Sequence, residues 1–324
     1  MNKEFVKRQA QVLQVLGALA TGAAKRKETL IFIGGSAIQT AVLKKARRLS
    51  VDLDIYYSGN ADELFDVLKP EYQVEKRKTL QTEIFDFYNI VKGDVQVKVD
   101  VAKFKLMGEG ISYQTVTLGE KNVYVNVAAP SYLLASKFST LALGTVGRRK
   151  FSPIDFLKDV FDSNALIDEC EVSPDIVKYF SQICRIQNKI NKTAFTEQQI
   201  IENIVKRLLE SAHLRDDMAT IKKNDLGNFN EYLLRDKVKK NDYWVMAHRL
   251  AAYTNAIAFK QRMPNAIKEI EKNVDERYSD KAFVDMCEQK LKDKGGDPAH
   301  LHELKILAPK ALVYFYYLYY PPKK

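Results

Sequence analysis

Two aspartates one residue apart, Asp52-Leu53-Asp54, lie in a short apolar segment running from Val51 to Tyr57. On a strand, side chains two apart point to the same face. The two carboxylates would then stand together and repel unless a cation lies between them. Mg²⁺ takes one or two carboxylates plus the oxygens of substrate phosphates, so the pair suits a metal–triphosphate site. A plain solvated face is the alternative. Leu53, Ile55 and Val51 argue against it, because unpaired acids on a half-buried strand are expensive. A third acid, Asp100, shares the polar face of the run Val95, Val97, Val99, Val101 with Gln96 and Lys98. Next to the Asp52 strand it could bind a second metal or accept the proton of an attacking hydroxyl.

Upstream, Gly34-Gly35-Ser36 separates an apolar run, Leu30 to Ile33, from an expected helix. Glycines let backbone approach a ligand closely, and free N–H groups at a helix start suit phosphate. Alone, this is equally an ordinary strand–helix turn. Downstream come Lys137, the cluster Arg148, Arg149, Lys150, and the segment Lys158-Asp159-Val160-Phe161-Asp162. Lysine and arginine would neutralise charge that shifts during phosphoryl transfer. The Arg148–Lys150 run also fits a solvated surface.

These groups need a sheet to hold them. Strands are expected at 30–33, 51–57, within 72–90 (two of them), at 95–104, near 111–118 and at 122–127, with a helix over 37–47. From Pro130 the pattern turns helical. Ser152-Pro153-Ile154-Asp155 and Ser173-Pro174 open helices, and Thr196 with Gln199 makes a capping box. Further helices are expected over 243–262, 265–277, 280–293 and 298–320. The spacing of Val12, Leu16 and Leu19 predicts an amphipathic first helix rather than a signal peptide. The reading is an α/β (α+β) domain over 1–165, followed by an all-helical domain over 166–324, with a boundary anywhere between 130 and 172.

Composition sets outer bounds. The 324 residues carry 51 Lys+Arg against 41 Asp+Glu, a formal charge of +10, which favours a polyanionic partner or reflects a lysine-rich proteome. The cysteines Cys170, Cys184 and Cys287 form no CxxC pair, and with four scattered histidines they give no zinc spacing. A reduced, cytoplasmic protein is expected. The C-terminal LVYFYYLYY is too short to span a bilayer, and no membrane partner is expected. His213, His248, His300 and His302 read as core or surface residues, and Trp244 as core.

Taken together, Gly34-Gly35-Ser36, Arg48-x-Ser50-x-Asp52-Leu53-Asp54, Lys98-Val99-Asp100-Val101, Lys137 and Lys158-Asp159-Val160-Phe161-Asp162 resemble the AbiEii/AbiGii toxin family, which includes the MenT toxins. Its members are nucleotidyltransferase-like toxins of toxin–antitoxin and phage-defence systems. The resemblance covers roughly residues 30–165. It departs at Lys158, where the family often has arginine, and in a longer segment between Ser36 and Arg48. It implies a polymerase-β-like mixed sheet with helices. It also implies transfer of a nucleotide from an NTP, with Mg²⁺ or Mn²⁺, to an acceptor such as the 3′ end of tRNA, and an antitoxin partner. By position, Asp52 and Asp54 would bind metal, with Asp100 completing the acidic cluster. Gly34, Gly35, Ser36, Arg48 and Ser50 would line the nucleotide site, Lys137 would contact the triphosphate, and Asp159 would be the essential acid of the last motif. Transfer to a protein side chain or small molecule, and a non-catalytic RNA-binding module, are the competing readings.

Overall fold

The computed structural model describes residues 3–77, 84–103, 110–118, 123–147, 150–171, 173–214, 221–258 and 263–322. The chain divides into two compact units. The first comprises Met1–Leu133 with Glu169–Glu171 and Glu231–Asp236. The second comprises Leu134–Asp168, Val172–Asn230 and Lys237–Lys324.

The first unit is built on one seven-stranded sheet. Its strands are β1 (Leu30–Ile33), β2 (Asp52–Tyr57), β3 (Gln73–Lys76), β4 (Phe85–Lys92), β5 (Val95–Lys103), β6 (Tyr113–Leu118) and β7 (Val123–Ala128), in the order β3-β4-β5-β2-β1-β7-β6. The β2–β5 and β1–β7 pairs are parallel and the rest antiparallel, so the sheet is mixed. Alternation assigns its two faces. Leu53, Ile55, Val97, Val99, Val101, Val125 and Val127 point one way, into a core completed by Val12, Val15, Leu16 and Leu19 of α1 (Lys3–Lys25). This is the amphipathic first helix, its apolar positions recurring every three to four residues. A short helix not anticipated from sequence, α2 (Ala61–Phe65), is capped by the Asn60 side chain and adds Leu64 and Phe65 to the same core. Phe65 stacks on Tyr88 of β4 at 3.9 Å between centroids.

The helix expected over 37–47 is displaced. It begins at Gly34, runs as Gly34–Ala37, and passes straight into a π turn, Ile38–Val42, before stopping. Gly34 to Ser36 are therefore the first helical turn rather than a loop before it. The π turn takes up an extra residue within the helix. Residues 43–51 instead run irregularly, held by side chains. The Gln39 Oε1 accepts from the backbone N–H groups of Arg47 and Arg48, at 2.8 and 3.1 Å.

The second unit is helical throughout its described residues. Helix α3 (Pro130–Leu141) starts in the first unit and ends in the second. There follow α4 (Pro153–Glu169), α5 (Asp175–Asn191), α6 (Glu197–Ala212), α7 (Lys223–Phe229), α8 (Lys240–Ala258), α9 (Met263–Arg277), α10 (Lys281–Lys292), α11 (Pro298–Leu307) and α12 (Pro309–Tyr319). The capping box at Thr196 and Gln199 forms in both directions. The single helix expected over 298–320 is two: Pro309 lacks an N–H and its ring clashes with the preceding turn, so the chain breaks at Ala308. Helix α8 buries Tyr243, Trp244, His248 and Tyr253 among others. No helix among the described residues is long and apolar enough to cross a membrane.

Candidate active site

Opposite the α1-covered face, the sheet carries the acids. Asp52 and Asp54 alternate with buried Leu53 and Ile55, so both project to that face, Asp52 exposed and Asp54 half-buried. The parallel register sets Asp54 directly beside Asp100, and Asp52 beside Lys98. Neighbouring strands lie about 5 Å apart, so Asp54 and Asp100 are immediate neighbours. The sequence reading made this conditional on β2 and β5 being adjacent, and they are. The electrostatics register the crowding. Burial, then the negative charge of Asp52, push the Asp100 carboxyl up to about 6, while Arg77 and Lys98 pull the other way.

The helix turn at Gly34 closes over these acids. Gly34 has φ +75°, a conformation that favours glycine, and a Cβ placed there would lie 2.0 Å from Asp54 Oδ2. Glycine is required twice over, for its backbone and for the carboxylate resting against it. Ser36 and Ser50, both buried, stand with their hydroxyls 2.9 Å apart, and Ser36 donates to the Asp52 carbonyl. The two serines therefore tie the first helical turn to the start of β2. Both were expected to line the phosphate site; their observed hydrogen bonds position the acids.

Arg48 is buried, its guanidinium donating to the Leu49 carbonyl at 2.8 Å. Its backbone pairs with Leu233 in a β-bridge within the same unit. Arg47 holds Glu169, at 2.8 Å. These arginines fix the irregular segment that leads into β2. Gln39, which clamps the same segment, carried no signal in the sequence beyond its place in an expected helix.

Lys137, Asp159 and Asp162 come together in the second unit. The Lys137 ammonium lies 2.6 Å from Asp159 and 2.9 Å from Asp162, all three buried, and Thr140 donates to the other Asp159 oxygen at 2.8 Å. The lysine expected at the triphosphate thus has its charge matched by two carboxylates, one of them the expected essential acid. Lys158 pairs with Asp155 at 3.5 Å, Lys150 is exposed, and Arg148 and Arg149 lie outside the described residues.

Whether the acids fit a divalent cation can be judged from the donor set. The three carboxylates expected as metal ligands are not drawn into one cage: among the described residues no three His, Cys, Asp or Glu side chains are arranged to hold an ion. What β2 and β5 offer, in the middle of the sheet, is one face that carries the carboxylates of Asp52, Asp54 and Asp100. That fits Mg²⁺, which keeps waters and completes its shell with substrate phosphates rather than a closed protein cage.

No family model matches the sequence, and no curated protein matches it. Among solved structures, the chain is similar to MenT4, a nucleotidyltransferase toxin from Mycobacterium tuberculosis H37Rv. The identity is 12%, over 79% of this chain and 87% of that one, with a TM-score of 0.52. The two share a fold. Weaker likenesses at 12% identity are to an antigenic nucleotidyltransferase-like protein from Paracoccidioides brasiliensis, over 65% of this chain and 94% of that one with a TM-score of 0.38, and to the antibiotic-resistance factor ANT(2'')-Ia, over 57% and 93% with a TM-score of 0.36. The expected fold class, a mixed sheet with helices and a helical C-terminal region, is the one found.

Proposed function

We propose that this chain is a nucleotidyltransferase, moving a nucleoside monophosphate from an NTP to a hydroxyl acceptor with release of pyrophosphate. The observation that carries the reading is the register of β2 against β5, which sets Asp54 beside Asp100 next to a glycine turn with room for nothing but the Asp54 carboxylate. Asp52 and Asp54, with Asp100 beside them, would hold Mg²⁺ or Mn²⁺. The ion held there would supply Lewis-acid polarisation of the α-phosphate. Asp100, whose carboxyl sits closer to neutral pH than an ordinary aspartate, takes the acceptor hydroxyl's proton. The new bond joins the acceptor oxygen to the α-phosphorus. The bond that breaks runs from the α-phosphorus to its bridging oxygen, and the electron pair leaves with pyrophosphate. Backbone at Gly34 and Gly35 approaches the phosphates. Lys137, Asp159 and Asp162 act as a set, through the ion cluster they form.

The acceptor in this reading is the 3′ end of tRNA, supported by the +10 charge, since phosphate contacts dominate nucleic-acid affinity. Control by an antitoxin and a role in phage defence belong to the same reading through the family resemblance. The test is incubation of the purified chain with total tRNA, Mg²⁺ and each α-labelled NTP in turn, beside Asp52→Ala. Label entering RNA with the wild type and not the variant is expected. Transfer retained by Asp52→Ala would sink the assignment, and label appearing in protein instead would replace the acceptor.

A further inference from the structure

One feature of the acid-bearing face belongs neither to the core nor to the residues assigned above. On β4, Phe87 pairs with Asp100 and Phe85 with Ala102, and paired residues share a face. The core side of β4 is taken by Tyr88 and Ile90. Phe85 and Phe87 therefore stand on the acid face, half-buried, with their rings stacked at 6.0 Å and 26°. The line across the strands reads Phe87, Asp100, Asp54, with steps of about 5 Å. An aromatic plate thus adjoins the proton-accepting carboxylate on the side away from the β2 acids.

Two cations flank that plate. Arg77 donates its backbone N–H to the Phe87 carbonyl at 2.8 Å, and Lys98, two residues before Asp100, is exposed. Both are near enough for their charge to act on Asp100. A plate for a base, cations for a phosphate and a carboxylate for a hydroxyl are the three parts of one nucleotide at the end of a strand. Base–aromatic stacking is sequence-tolerant and works on unpaired ends.

We infer that Phe87, flanked by Arg77 and Lys98, seats the terminal nucleotide of a single-stranded nucleic-acid acceptor and presents its hydroxyl to Asp100. This rests on the reading of Asp52, Asp54 and Asp100 as the transferase site. Phe87 is then a positioning residue: it holds the acceptor and leaves NTP binding alone.

The probe is a twelve-nucleotide single-stranded RNA whose 3′-terminal base is 2-aminopurine, added to the full chain without NTP. Stacking should quench its fluorescence on the wild type. Phe87→Leu keeps apolar bulk but removes the aromatic face. It should abolish the quenching and weaken binding by roughly 10- to 100-fold, whereas Phe87→Tyr should restore both. Lys98→Ala should flatten the salt dependence of binding by about 0.7 in the log–log slope. Binding of a non-hydrolysable NTP with Mg²⁺, measured by calorimetry, should be equal in wild type and Phe87→Leu. Undiminished quenching in Phe87→Leu, or RNA binding by the wild type without terminal quenching, or no RNA binding at all, would each overturn the inference while leaving the NTP measurement to judge the transferase reading. Loss of NTP binding in the wild type with quenching intact would instead remove the transferase reading, and the acceptor role with it.

Discussion

Asp100 shows how a carboxyl buried among other acids weakens the fold that carries it. Its carboxyl is raised from 3.8 to about 6, first by burial and then by Asp52. An acid whose folded pKa is raised penalises the folded state wherever it must ionise. The penalty is complete above pH 6 and fades as pH falls toward 3.8. Asp100→Asn should therefore raise stability at pH 8 by about 3 kcal/mol while abolishing transfer, and urea unfolding of wild type and variant at pH 8 checks it. A variant less stable than wild type would show the carboxylate to be favourably held. Lys137 presents the opposite case. Removing Asp159 leaves the buried lysine paired with Asp162 and takes away the Thr140 hydrogen bond, so Asp159→Ala should cost ~1–3 kcal/mol. Equilibrium unfolding reads this directly, and a loss under ~1 kcal/mol would mean the cluster is open to water. The resemblance marked Asp159 as an expected essential acid, but its pairing with Lys137 was not legible, since the lysine lies 22 residues away on another helix.

At the scale of elements, the strands were legible and the helix after β1 was not. Val95 to Val101 alternate without exception, and the period of two has one structural meaning. The segment after Gly34 has no such marker. Its length suggested a longer helix, but the chain instead spends a residue on a π turn and stops at Val42. The helical turn before it, Gly34–Ala37, fixes the identity of Gly34. Gly34→Ala would bring a methyl group within 2.0 Å of the Asp54 carboxylate and force a left-handed backbone on alanine. The expected result is loss of Mg²⁺-dependent NTP binding together with destabilisation of at least ~1 kcal/mol, read by calorimetry and thermal melting. An alanine variant that binds NTP normally would show that the turn can relax away from β2. Pro309 was a break visible in the sequence that helical periodicity on both sides concealed.

At the scale of the whole molecule, residues remote in sequence meet. His213, just past the end of α6, meets His248 of α8 and His300 of α11 in the second unit; the rings of His213 and His300 lie 4.2 Å apart, and those of His248 and His300 6.0 Å. His248 donates from Nδ1 to the Trp244 carbonyl at 2.8 Å, the tautomer a carbonyl partner requires. Burial, with a smaller contribution from His213, lowers its pKa from 6.5 to about 4. The unfolded chain then binds a proton that the folded chain refuses between those values. Stability is complete above pH 6.5 and falls as pH drops toward 4, by about 3 kcal/mol. Unfolding curves between pH 7 and 4 should show this fall in wild type and a flatter one in His248→Gln; equal slopes would assign the acid sensitivity elsewhere.

The sequence by itself determined the alternating strands, the capped helices and the two aspartates on one face of β2, because these depend on residues within a few positions of each other. It also fixed the order in which the acids, the glycine turn and the helical lysine occur. Only the tertiary structure decided that β5 lies beside β2, which brings Asp100 to Asp54, and that Phe87 stands on Asp100's other side. It alone showed that Ser36 and Ser50 bond to each other and to β2, and that Arg48 donates to the Leu49 carbonyl. Strand order and hydrogen-bond partnership arise from burying the sheet on α1 and satisfying every polar group left beneath it, and that balance is struck over the whole chain at once.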